Sequence, residues 1–192
     1  AYLLDLSRIE AGAAALNITQ IDVGDFLEEN AEAVSMVEAG KQLRYVVDVT
    51  PPDLVLEADR ERLHQVVTNL LQNAIRHSPQ GGEIRLEAYP VDDDVVLEVV
   101  DEGPGIAKED RERIFERFAR ASATGAHTTT GGSTGGTGIG LAIVRWAVDL
   151  HGGRIEVADS RRGATRRVPL PALAGSAPFP PEDGGAASAG AG

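Results

Sequence analysis

Between Asp59 and Pro79 the chain reads DRERLHQVVTNLLQNAIRHSP, and its apolar residues Leu63, Val66, Val67, Leu70, Leu71 and Ala74 fall at i, i+3 and i+4 intervals. That period belongs to an α-helix with one buried face. Asp59 is suited to cap its first turn, so the spacing predicts a helix over about 60–77. Two alternating runs follow, EIRLEAY and VVLEVVD, joined by PVDDD. Both read as strands, as does LRYVVDV upstream, which Pro51-Pro52 stops. A chain that changes period in this way is an α/β protein.

The remaining segments fit around these. Residues 17–21 read as extended, and Asp22 as the N-cap of a helix carrying Phe26, Ala33, Val34 and Val37 that ends near Gly40. A short helix is expected at 107–118 and another at about 139–151, and RIEVAD and TRRVPL should close as a β-hairpin. Arg161, Arg162, Arg166 and Arg167 flank Gly163 in that hairpin and read as solvated. The opening AYLLDLSRIEAGAAAL is helical in composition, with Leu3, Leu6 and Ile9 in a row that would want a partner helix. The stretch 172–192 is mostly Ala, Gly, Pro and Ser and is expected to be disordered.

Composition narrows the function. The net charge of −12, with no long basic stripe, argues against nucleic acid as a partner. There is no cysteine, so thiolate metal sites and disulfides are excluded. No apolar run approaches the ~20 residues that span a bilayer, and no signal peptide opens the chain. The chain is expected to be soluble.

On the helix at 60–77, Asn69, Asn73, Arg76 and His77 share one flank, within roughly 100° of arc. It borders the apolar stripe, whereas Glu61, Gln65, Thr68 and Gln72 would meet water. Asparagine is a poor helix former, and two a turn apart weaken a helix unless something uses them. An amide oxygen is a hard, neutral donor suited to Mg²⁺; the plainer alternative is two amides bonded to a neighbouring loop. Downstream, VVLEVVDEGPGI ends a strand in Asp101, Gly103 and Gly105. A carboxylate beside the core needs compensating donors, and an exocyclic adenine amino group is one. The same residues also suit a plain turn.

The run GGSTGGTGIGLAIV, residues 131–144, is rich in glycine and opens a helix. Leu141 stands where a dinucleotide fingerprint from Gly136 and Gly138 needs glycine, and no lysine follows Lys108 to make a Walker loop. An anion site at a helix N-terminus remains, beside the alternative of a flexible linker. Residues 119–135 before it have no periodicity, which is typical of a lid or a disordered segment. Phe115 and Phe118 precede this loop and should be mostly buried. Of the histidines, His64 and His151 read as helix-surface or helix-end residues, and His127 lies in the loop. His77 is placed to pack on a base.

In this order the segments resemble the catalytic, ATP-binding domain of sensor histidine kinases, a family sharing its nucleotide fold with DNA gyrase and MutL. NLLQNAIRHSPQGG looks like the N box, DEGPGI the first glycine box, RIFERFAR the phenylalanine box and GGTGIGLAIV the second glycine box. LLDLSRIEAG resembles the end of the second dimerisation helix. The resemblance implies an α/β two-layer sandwich, a mixed sheet packed on one face by three helices. It divides the chain into a helix remnant at 1–16, a catalytic domain at 17–171 and the tail at 172–192.

The same resemblance implies that Asn73 ligates Mg²⁺, with Asn69 supporting it or the phosphates, and that Arg76 approaches phosphate. His77 would pack on the nucleotide, and Asp101 would read the adenine amino group. Gly103, Gly105 and Ile106 would lie beneath the base. Gly136, Thr137, Gly138, Ile139, Gly140 and Leu141 would hold the polyphosphate where the lid ends, with Arg120 or Arg117 reaching it. The sequence departs from the pattern in one respect: 121–135 contains no Lys or Arg.

The implied activity is transfer of the ATP γ-phosphoryl to a histidine on a dimerisation domain, from which a response regulator collects it. The phosphoacceptor helix is not in the sequence, so the chain alone is expected to be a monomer unable to label itself. It is expected to come from a larger, homodimeric, membrane-anchored bacterial sensor whose catalytic part is cytoplasmic. A serine kinase of the anti-sigma type and a module that senses ATP without catalysis are the alternatives.

Overall fold

A computed structural model describes residues 15–37, 39–115, 139–159 and 163–172. Among them, the chain forms β1 (Ile18–Asp22), α1 (Val23–Val37), β2 (Arg44–Val49), β3 (Val55–Asp59), α2 (Arg60–His77), β4 (Glu83–Val91), β5 (Asp94–Asp101), α3 (Gly140–Leu150), β6 (Glu156–Asp159) and β7 (Ala164–Pro171). Five strands make one sheet in the order β2-β4-β5-β7-β6. β2 pairs parallel with β4 and the other pairs are antiparallel, so the sheet is mixed. β1 and β3 form a separate two-stranded antiparallel pair.

Strand alternation divides the large sheet into two unlike faces. One carries Ile84, Leu86 and Ala88 from β4, Val95, Leu97 and Val99 from β5, and Val168 and Leu170 from β7, all buried in one core with residues of the three helices. On the other face Arg85 pairs with Glu83 and Glu87, and Glu98 takes Tyr89 and Arg167. Among the described residues three helices cover the apolar face and none the other. This is the two-layer sandwich that the resemblance implies.

The predicted caps hold. The Asp25 N–H donates to Asp22 Oδ1 at 3.0 Å, and the Arg62 N–H to Asp59 Oδ1 at 3.0 Å. Asp59 also takes the Asn17 N–H at 2.9 Å, and its own N–H donates to His151 Nε2 at 3.0 Å. His151 thereby ties the end of α3 to the start of α2, a role that its helix-end placement alone did not show.

Several expectations need correction. β3 carries no local signal beyond VLEAD and becomes a strand by pairing with β1, 33 or more residues upstream in register. The hairpin after β4 is tighter than PVDDD implies, since Val91 already faces Asp94 across a two-residue turn. In place of one helix from 107 there are two 3₁₀ turns, Lys108–Asp110 and Arg113–Phe115. Few apolar residues there support a longer helix, although Phe115 is buried as expected. Thr68 does not face water: its hydroxyl is buried and lacks a hydrogen bond among the described residues. α2 is flanked on both sides, by α1 and α3, so that its flanks are covered as well as its core stripe.

The arginine-rich hairpin is the largest departure. The turn at 161–162 lies outside the described residues, but β7 is not a solvated arm. It sits between β5 and β6, and Arg166, 1% exposed, shares the core face with Val168 and Leu170. Arg167 points to the other face and pairs with Glu98, its direct cross-strand neighbour. The lid, Phe118, the opening helix through residue 14 and the tail from 173 also lie outside the described residues.

Candidate functional site

The end of α2, the end of β5 and the start of α3 meet at one edge of the sandwich. The α2 residues arrive there because the helix lies on the sheet by its apolar stripe, which leaves the flank bearing Asn69 and Asn73 half-buried. Asn69 Nδ2 donates to the Gln65 carbonyl at 2.7 Å within its own helix. Its Oδ1 faces α3: a β-carbon on Gly140 would come within 2.8 Å of it. Among the described residues Asn73 makes no hydrogen bond and Asn69 makes only the one to Gln65; the loop before α3 lies outside the described residues. The Asn69 amide oxygen thus stands beside a helix N-terminus, which favours anions, and the Asn73 amide lies one turn further along α2.

Arg76 and His77 end the helix and are exposed. Lys41, from the turn after α1, donates its ammonium to the carbonyls of Ile75, Arg76 and Ser78 at 2.7, 3.0 and 3.0 Å. This cationic cap satisfies carbonyls that the helix leaves open and suits the negative end of its dipole. No sequence signal links Lys41 to a helix end 34 residues away. Burial draws the His77 imidazole below the usual histidine pKa, and the Arg166 guanidinium adds to that, with Asp101 opposing. Both effects favour the uncharged form of the ring.

Asp101 ends β5 completely buried. Alternation puts it on the core face with Val95, Leu97 and Val99, and β7 places Arg166 diagonally across, since Val99 faces Arg166 in register. Asp101 Oδ1 accepts from the Gly103 N–H at 2.8 Å and the Ala164 N–H at 3.4 Å, and Oδ2 from Arg166 at 2.5 Å. The compensating donors expected for this carboxylate are thus supplied by the protein itself. A β-carbon on Gly103 would lie 2.7 Å from the His77 carbonyl and 2.8 Å from Asp101 Oδ1, so only glycine fits there. Gly105 takes φ +79°, the left-handed region where glycine is at ease. Ile106 follows, half-buried, its carbonyl held by Arg111 at 3.3 Å.

The structure therefore brings together Asn69, Asn73, His77, Asp101, Gly103 and Gly140, with Ile139 and Leu141 half-buried at the start of α3. Arg120, Gly136, Thr137 and Gly138 lie outside the described residues. Arg166 and Lys41 are the two members of this neighbourhood that the sequence did not single out.

Residues 58–174 match the family of histidine kinase-, DNA gyrase B- and HSP90-like ATPases. The chain belongs to this ATPase family. Among its relatives, the histidine protein kinase DivJ of Caulobacter vibrioides is 35% identical over 175 residues, 89% of this chain and 28% of that protein. The catalytic domain of histidine kinase ThkA superposes with a TM-score of 0.69 at 26% identity, over 82% of this chain and 97% of that one. Full-length ShkA in complex with AMPPNP gives 0.75 at 29% identity, over 92% and 36%. The chain spans well under half the length of the curated relatives it matches.

Proposed function

We propose that the chain is the ATP-binding catalytic part of a sensor histidine kinase, which moves the γ-phosphoryl of ATP to a histidine on its dimerisation domain for delivery to a response regulator. The observation that carries this is the convergence of Asn69 and Asn73 with the start of α3 on one side and Asp101 with Gly103 on the other. A polyphosphate needs the first group and a base the second. ShkA, which shares the fold, is described with AMPPNP, and sensor kinases recur among the relatives.

In this reading Asp101 accepts the exocyclic amino group of adenine, and Gly103 lets the base approach the backbone. The His77 ring packs against the nucleotide, its lowered pKa favouring the uncharged form. Arg76 and the N–H groups opening α3 at Ile139, Gly140 and Leu141 bind phosphate oxygens. The side chains fit a magnesium ion: the Asn73 amide, half-buried and without a hydrogen bond among the described residues, offers an oxygen, and Asn69 stands a turn away. Magnesium characteristically takes few protein ligands and the rest from phosphate and water, and it would neutralise charge on the transferring phosphoryl. What the chain does is hold the phosphate chain in line for attack and exclude alternatives.

The absence of Lys and Arg from 121–135 favours a second reading, a module that binds ATP and reports it without transfer. One experiment separates the two. Calorimetric titration with ATP, with and without Mg²⁺, should show saturable, magnesium-dependent binding. Mixing the chain with the dimerisation domain of its own full-length protein and radioactive ATP should then place acid-labile label on that domain. Binding without label supports the sensing module, and no binding removes both readings.

A further inference from the structure

The bulkiest fully buried side chain among the described residues is Arg166, and its partner Asp101 is 0% exposed. A buried ion pair is seldom the most stable filling for a core, because apolar side chains of similar volume do as well or better. The pair therefore points to a role in what the carboxylate does. Each carboxylate oxygen accepts about two hydrogen bonds. Gly103 and Ala164 occupy Oδ1, and Arg166 occupies one position on Oδ2. Among the described residues the second position on Oδ2 takes no hydrogen bond.

We propose that Arg166 is the positioning residue of the base subsite, orienting the buried Asp101 carboxylate so that the second Oδ2 position, without a hydrogen bond among the described residues, accepts from an exocyclic amino group once a base is seated. This rests on the reading of Asp101 given above. Among the described residues no other group facing Asp101 replaces the guanidinium. Ile84, opposite on β4, is apolar, the pKa of His77 at the end of α2 is lowered, which favours its uncharged form, and Glu102 is exposed and occupied by the Glu83 N–H. Without Arg166 the carboxyl stays buried with no positive charge beside it, and burial then favours its protonated form. A protonated carboxyl presents a donor where the amino group needs an acceptor. Nucleotide affinity should then fall at neutral pH and recover as pH rises.

The test is calorimetric titration of ADP into the wild-type chain, Arg166→Lys, Arg166→Gln, Arg166→Met and Asp101→Asn from about pH 6 to 9. Thermal unfolding reports whether each is folded. Wild type and Arg166→Lys should give nearly flat profiles. Arg166→Gln and Arg166→Met should bind roughly tenfold more weakly at pH 7 and gain on wild type as pH rises. If Arg166→Met does not fold, the contrast between Lys and Gln carries the test, and identical profiles for those two overturn the proposal. It is also overturned if Arg166→Met is folded and binds like wild type while Asp101→Asn binds weakly, and in that case the base reading survives. If Asp101→Asn itself binds like wild type, the base reading fails and takes this proposal with it.

Discussion

Asn69 and Gly140 meet so closely that a β-carbon at residue 140 would lie 2.8 Å from Asn69 Oδ1. Helix α3 starts against α2 with the Asn69 amide in the space a side chain at residue 140 would take. Gly140→Ala should therefore displace the Asn69 amide, which is the free end of a side chain and can swing away at little cost. We expect the melting temperature to change little, since alanine also favours a helix. Affinity for ATP should drop about tenfold, the scale of one charge-assisted hydrogen bond. Unchanged ATP affinity would show that Asn69 does not serve the phosphates.

The second prediction concerns the base. Adenine offers an amino donor to Asp101, whereas guanine offers a carbonyl oxygen at the same place. A site built round a buried hydrogen bond rejects such an analogue strongly, by about 10⁴ where the pairing is tight. ATP and ADP should bind, GTP hardly at all, and Asp101→Asn should bind ATP much more weakly. Equal affinities for ATP and GTP in calorimetry would remove Asp101 from this role.

Asn73→Ala tests the metal. It should abolish most of the magnesium dependence of ATP binding while adenosine and metal-free ADP bind about as before. Full magnesium dependence in the variant would place the ion elsewhere.

The fourth prediction concerns the Asp59 cap and acid. Burial alone would raise the pKa of Asp59, but the N–H groups of Asn17 and Arg62, with the charge of Arg62, outweigh it and hold the carboxyl below its usual value. A depressed carboxyl stabilises the fold above its unfolded value of about 3.9, and that contribution is lost as pH falls through the lower folded value. Asp59→Ala should cost about 0.5–2 kcal/mol at pH 7, the usual worth of an N-cap. Urea melts should show the gap from wild type narrowing below about pH 3.9. A gap that is constant down to the acid transition would show that the carboxylate charge is not what holds the cap.

The sequence by itself determined the local elements whose period and ends are written in adjacent residues. The stripe from Leu63 to Ala74 made α2 a one-faced helix, Asp22 and Asp59 capped their helices, and the flank bearing Asn69 and Asn73 followed from the same 100° rotation per residue. Gly103 and Gly140 were visible as glycines where a chain must come close. Tertiary structure decided what depends on register between distant strands. Nothing near Val55 says that it will pair with Asp22, and nothing near Lys41 says that it will cap α2. Arg166 and Arg167 look alike in sequence, four arginines round a glycine being a common solvated turn. Alternation turns one of them onto each face, and only the position of β7 between β5 and β6 makes the inner face a core. A buried guanidinium then needs a carboxylate, and the diagonal register supplies Asp101, 65 residues away.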